Sequence, residues 1–75
     1  MRNESSLNRV RLGLNIRLRR KLMRLTQAEL AQRVGCSVQM ISALERGKRP
    51  ISVDLLFRLS RAMDFPVSEM LQGVE

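Results

Sequence analysis

The residues of this chain with chemistry to offer are its cations. Fourteen arginines and lysines stand against seven aspartates and glutamates in 75 residues, a net charge of +7 with a pI near 11.5. Guanidinium and ammonium groups at that density suit a polyanion: DNA, RNA or an acidic membrane surface. They are unevenly placed. Residues 1–24 hold Arg2, Arg9, Arg11, Arg17, Arg19, Arg20, Lys21 and Arg24 against Glu4 alone, and Arg46, Lys48 and Arg49 form a second cluster. Other chemistries lack their residues. There is no histidine and one cysteine, Cys36. That removes internal disulfides, Cys/His zinc sites and histidine-based catalysis. Cys36 is expected to be a turn residue without redox chemistry. No enzyme, metal or cofactor is expected.

The elements that must position these cations are helices. The strand signal is poor, with no alternating runs and few aromatics. Helix signals are frequent and predict five helices, at about 7–23, 27–34, 38–46, 53–63 and 67–72. In the first, Leu12, Ile16, Arg20 and Met23 share one face. Thr26 and Glu29 make a capping box for the second, with Leu25 and Leu30 as its hydrophobic staple. Gly35 suits the left-handed residue that closes it. Ser37 caps the third, with Ile41 and Leu44 inward and Gly47 as its stop. Ser52 caps the fourth, which buries Leu55, Leu56, Leu59, Ala62 and Met63. Pro66 pre-sets the fifth. The expectation is one all-α domain over 1–75, with a core of about 7–72. No run of about 18 apolar residues marks a membrane span. Residues 1–6 lack the apolar stretch of a signal peptide, so a cytoplasmic location and no membrane partner are expected.

Two short helices separated by Gly35-Cys36-Ser37 carry the functional signal. Glycine permits the steep crossing. Ala31 keeps the helices close, and Ile41 and Leu44 fill the space beneath. This is a helix-turn-helix pattern with a steric reason at each position. The stretch Leu25-Thr26-Gln27-Ala28-Glu29-Leu30-Ala31-Gln32-Arg33-Val34-Gly35, continued by Ile41-Ser42-Ala43-Leu44-Glu45-Arg46-Gly47-Lys48-Arg49-Pro50, resembles the lambda-repressor-like (Cro/repressor, XRE-type) family. Restriction–modification controller proteins of that family are similarly short. The resemblance implies a compact five-helix domain that binds palindromic double-stranded DNA as a homodimer, with its third helix in the major groove.

It also implies roles. Gln27 is expected to meet the DNA backbone and brace the reading residues. Ser37, Val38 and Gln39 open the helix that enters the groove. Gln39 can pair bidentately with adenine, and Val38 offers an apolar contact to a thymine methyl. Ser42 and Ala43, a turn further on, touch bases or phosphates. Many relatives carry longer polar groups at positions 38 and 43, so shape readout gains weight here. Arg46, Lys48 and Arg49 should meet phosphate, joined by Arg11 or Arg17. Arg20 looks out of place on an inner face; in the family such an arginine pairs with a glutamate of the third helix, here Glu45, as a structural salt bridge.

Leu14, Leu18, Leu22 and Leu7 form a second apolar stripe on the first helix. It needs cover, from the C-terminal Met70, Leu71 and Val74 or from another chain. Family dimers more often use the last helix, so Phe65, Val67, Met70 and Leu71 are the expected interface. Met63 and Phe65 are read as core rather than as a ligand pocket. Ending near its fifth helix, the chain is expected to have no sensor domain. The function this favours is a sequence-specific transcription regulator acting through operator occupancy, with Arg33 or Glu29 as candidate contacts to RNA polymerase. The alternative is an antitoxin-type protein that binds a toxin and autoregulates its operon. RNA binding has only Phe57 and Phe65 for base stacking.

Overall fold

A computed structural model describes the backbone from Glu4 to Glu75 and the side chains from Leu7 onward. Arg2 of the basic cluster, and the reading of residues 1–3, lie outside the described residues. Five helices follow one another: α1 Glu4–Leu22, α2 Gln27–Val34, α3 Val38–Glu45, α4 Val53–Ala62 and α5 Val67–Met70. No strand occurs among the described residues, and none of these helices is long and apolar enough to cross a membrane. α1 starts a turn earlier than the apolar periodicity indicated, and α5 is shorter.

Local chemistry sets most boundaries. The Glu29 amide donates to Thr26 Oγ1 at 3.0 Å while the Thr26 amide donates to Glu29 Oε1 at 2.8 Å, so both halves of the α2 capping box are made. Ser37 accepts from the Met40 amide and Ser52 from the Leu55 amide, capping α3 and α4. Gly35 closes α2 at φ +86°, its amide and that of Cys36 both donating to the Ala31 carbonyl. A Cβ there would meet nothing nearer than Arg58 Nη1 at 3.8 Å. Conformation, not space, requires glycine at that turn.

α3 packs on both α1 and α2; α2 also packs on α4, and α5 on α4 and α1. Ile16, Leu30, Ile41, Leu44, Leu59, Met63 and Met70 are fully buried, one or more from every helix. α1 comes close to the end of α3. An ideal Cβ on Gly13 would lie 2.2 Å from the Leu44 carbonyl oxygen and 2.8 Å from that of Glu45. Here space, not conformation, excludes a side chain.

The C-terminal segment is held on α1 by polar side chains. Asn15 Nδ2 donates to the carbonyls of Met70 and Gln72, each at 2.8 Å. Asn8 both donates to the Glu75 carbonyl and accepts from its amide. Arg19 donates to the carbonyls of Met63 and Asp64 and lies 5.2 Å from the centre of the Phe65 ring. Asn8, Asn15 and Arg19 share one side of α1. Met70, Leu71 and Val74 therefore pack on the core beside that side. The leucine stripe stays open: Leu7, Leu14, Leu18 and Leu22 are all exposed, Leu22 by 74%.

Candidate nucleic-acid interface

α2 and α3 set the geometry of the interface. α3 turns Ile41, Leu44 and Glu45 inward. Its first turn is left in solvent: Ser37, Val38 and Gln39 are exposed, Val38 by 40%. Ser42 and Ala43, one turn on, are half-buried. A valine with no core contact to make at the start of a helix is a side chain free for an outside surface. The Ser37 hydroxyl accepts from the Met40 amide, which leaves its proton to donate outward.

At the other end of α3 lies a charged brace. Arg20, only 8% exposed, donates from Nε to Glu45 Oε2 at 2.6 Å and from Nη2 to Glu45 Oε1 at 3.0 Å. Its Nη1 donates to the Leu25 carbonyl at 2.7 Å. One guanidinium thus joins α1, the α1–α2 turn and the end of α3. The bonds to Glu45 raise the Arg20 pKa above its ordinary value despite the opposing effect of burial. Gln27 Nε2 donates to the same Glu45 Oε1 at 3.0 Å. The start of α2 is therefore tied to α3, and the second hydrogen of Gln27 Nε2 is left to donate.

Around the brace the cations converge. Arg17, Lys21 and Arg46 line one depression with Gln27 and Ser42, over the Arg20–Glu45 pair. All three are exposed. Arg46 leans back to donate from Nε to the Ser42 carbonyl at 3.2 Å, so its terminal nitrogens sit beside α3. Lys48 and Arg49 are exposed on the loop that follows. A concavity rimmed by cations and polar side chains suits a phosphodiester. Arg11 is elsewhere, donating weakly to the Gln72 carbonyl. Lys21 was not singled out from the sequence, although its place four residues after Arg17 was the available signal.

The expected interface residues divide. Met70 is fully buried and Phe65 is 9% exposed, because both fill the core beneath α5. Met70 presents no face to a partner, and Phe65 shows only an edge in the groove between α1 and α5. Val67 and Leu71 are half-buried. Val53 and Phe57, neither of them an expected interface residue, are exposed one turn apart on α4. Cys36 is half-buried, and burial pushes its thiol pKa up, so it stays protonated at neutral pH.

Comparison with known proteins bears on the same elements. A family model described as Helix-turn-helix matches residues 16–70. A transcriptional regulator in the ATPase CF(0) region of Rhodospirillum rubrum is 34% identical over 64 residues, 85% of this chain. The chain spans 59% of that relative's length. An HTH-type transcriptional regulator of Methanothermobacter thermautotrophicus is 50% identical over 48 residues, covering 64% of this chain and 70% of its own. Among solved structures, the restriction-modification controller protein C.AhdI of Aeromonas hydrophila superposes with a TM-score of 0.83 at 28% identity, covering 85% of this chain and 97% of its own. The clp gene regulator ClgR of C. glutamicum gives 0.82 at 33% identity, covering 85% and 83%.

Proposed function

The chain belongs to the helix-turn-helix family of lambda-repressor-like (XRE-type) DNA-binding domains, and on that premise we propose that it is a sequence-specific regulator of transcription, acting as a single domain that binds a palindromic operator as a homodimer. α3 enters the major groove. Gln39 pairs with a base edge, and Val38 packs against a thymine methyl. Ser37, Gln27, Ser42, Ala43, Arg17, Lys21, Arg46, Lys48 and Arg49 hold the backbone or the groove wall. The single observation that carries this reading is α3 itself: its first turn is exposed, and its far end is tied to α1 and α2 through Glu45 and bordered by the depression of Arg17, Lys21 and Arg46.

Such a surface converts charge into register. Phosphate contacts dominate affinity, and the rigid α3 determines which bases its first turn meets. With a valine and an alanine at positions 38 and 43, fewer direct hydrogen bonds reach the bases, and DNA shape takes a larger share. In the dimer, Val67 and Leu71 contribute the contact, supported from below by Phe65 and Met70. Regulation follows operator occupancy, by exclusion of polymerase.

The test is selection of bound DNA from a random pool, with a salt titration of the enriched sequence. The expected result is a palindrome with half-sites about 10 base pairs apart. Enrichment of an asymmetric single site, or of nothing, overturns the reading. Leu71→Glu is expected to halve the mass in sedimentation; loss of dimer with Phe57→Glu instead would move the contact to α4.

A further inference from the structure

We propose that the outward side of α1, with the groove it forms against α5, is a docking site for an acidic amphipathic helix of a partner protein. Leu7, Leu14, Leu18 and Leu22 run in one line down α1 and are 47%, 39%, 57% and 74% exposed. The core uses none of them; the opposite side supplies Leu12 and Ile16. The C-terminal segment, clasped by Asn8 and Asn15, leaves the line open. Four aligned leucines in water on a 75-residue chain amount to a contiguous apolar patch, the usual mark of an interaction surface.

Shape and charge select the occupant. Leu18 and Leu22 line a groove together with Phe65 and Glu69 and with the polar Arg11 and Asn15. Phe65 is 9% exposed and is reached only by a protruding side chain. A helix inserting leucines at one-turn spacing meets that requirement, and a flat bilayer does not. The flanks are cationic. Arg11 lies on one side of the leucine line and Arg17 and Lys21 on the other, all exposed. No acidic residue occurs from Ser5 to Ala28. A second copy of this chain docked on the same face would set Arg11, Arg17 and Lys21 against their equivalents, with Glu69 and Glu75 per copy too few to offset them. Like charges brought together at an interface disfavour it. Carboxylates flanking an apolar stripe complement it. The leucine line and Arg11 lie apart from the residues assigned to DNA, while Arg17 and Lys21 border both surfaces.

A fluorescent synthetic helix of about 18 residues, with leucines at one-turn spacing flanked by glutamates, is the probe; its twin carries lysines in place of the glutamates. Titrated into the full chain, the acidic probe is expected to bind saturably at 1:1. Its affinity should fall about tenfold or more in Leu18→Asp and in Arg11→Glu. It should be retained in the Lys48→Ala/Arg49→Ala double variant. Leu18 is exposed, so its variant is expected to keep the wild-type melting temperature, and Leu18→Ser serves as a second, uncharged variant. The proposal is overturned by equal binding of the two probes, or by binding that follows Lys48 and Arg49 instead of Leu18. It is also overturned if Leu18→Asp dissociates a dimer in sedimentation, which assigns the face to a second copy. Leu18-dependent binding to anionic vesicles without binding of the acidic probe assigns it to a membrane and overturns it likewise.

Discussion

Replacing Gly13 with alanine sets two effects of opposite sign against each other. In an exposed helix interior the change gains about 1 kcal/mol, because alanine restricts the unfolded chain and glycine does not. Here the added carbon would lie 2.2 Å from the Leu44 carbonyl oxygen, 2.8 Å from that of Glu45 and 3.0 Å from the Glu45 carbonyl carbon. Even close C–H···O contacts keep carbon and oxygen about 3.3–3.6 Å apart. α1 must therefore withdraw from the end of α3 by roughly 1 Å, on the same contact distances. All three obstructing atoms are backbone, so no side chain can rotate aside. Forcing extra volume into a packed contact costs about 1–3 kcal/mol, and a backbone neighbour places this case at the upper end. The net expectation for Gly13→Ala is a loss of about 2 kcal/mol after the propensity gain is deducted. For a domain of this size that lowers Tm by roughly 8–16 °C. The withdrawal also displaces Glu45 from Arg20, so operator affinity should fall at temperatures where the variant is still folded. Circular-dichroism melting and a DNA titration at 20 °C test both parts. A variant that melts at or above the wild-type temperature would refute the close-approach argument.

Glu45→Ala leaves the Arg20 guanidinium buried with only the Leu25 carbonyl as partner and is expected to cost about 3–5 kcal/mol in a denaturant titration. The paired change Arg20→Met with Glu45→Leu should restore most of that loss, since replacing both charges removes the uncompensated ion; equal destabilisation of single and double variants would contradict the brace. In the salt titration of operator binding, Lys48→Ala/Arg49→Ala is expected to flatten the log–log slope by about 4 for a dimer, and an unchanged slope would remove these residues from the phosphate contacts. Glu29 is held below its ordinary carboxylate pKa, first by the Thr26 amide, then by the Thr26 hydroxyl, with Arg33 adding attraction. A carboxyl depressed in the folded state stabilises it above the unfolded pKa, and the contribution is lost as pH falls through the folded value. Capping of α2 should therefore weaken in acid below the ordinary glutamate range. An NMR titration of Glu29 should show the depression in the wild type and its partial release in Thr26→Ala.

Much of this molecule was legible because its signals are local. A cap is a contact between residues three apart, so Thr26 with Glu29, Ser37 with the Met40 amide and Ser52 with the Leu55 amide follow from spacing alone. Gly35 announces a left-handed turn whatever surrounds it. The buried sides of α2 and α3 follow from helical period, as do Leu12 and Ile16. Arg20 was conspicuous for the same reason, as a charge on an apolar face. Met70 and Phe65 stayed open between core and interface because an apolar residue near a chain end reads alike as either. Only the docking of α5 on α1 and α4 put them inside.

The amino-acid order by itself determined five helices, three of them side-chain capped, the helix-turn-helix and a cationic surface, since each rests on contacts within one turn or on composition. Packing angles decided the rest. They bring Gly13 against the Leu44 carbonyl, set Asn8 and Asn15 on the C-terminal backbone, and gather Arg17, Lys21 and Arg46 from two helices around Gln27. Those contacts join residues 31 to 67 positions apart, or side chains of separate elements, and their distances depend on how rigid bodies settle on a shared core. No periodicity within a helix encodes that.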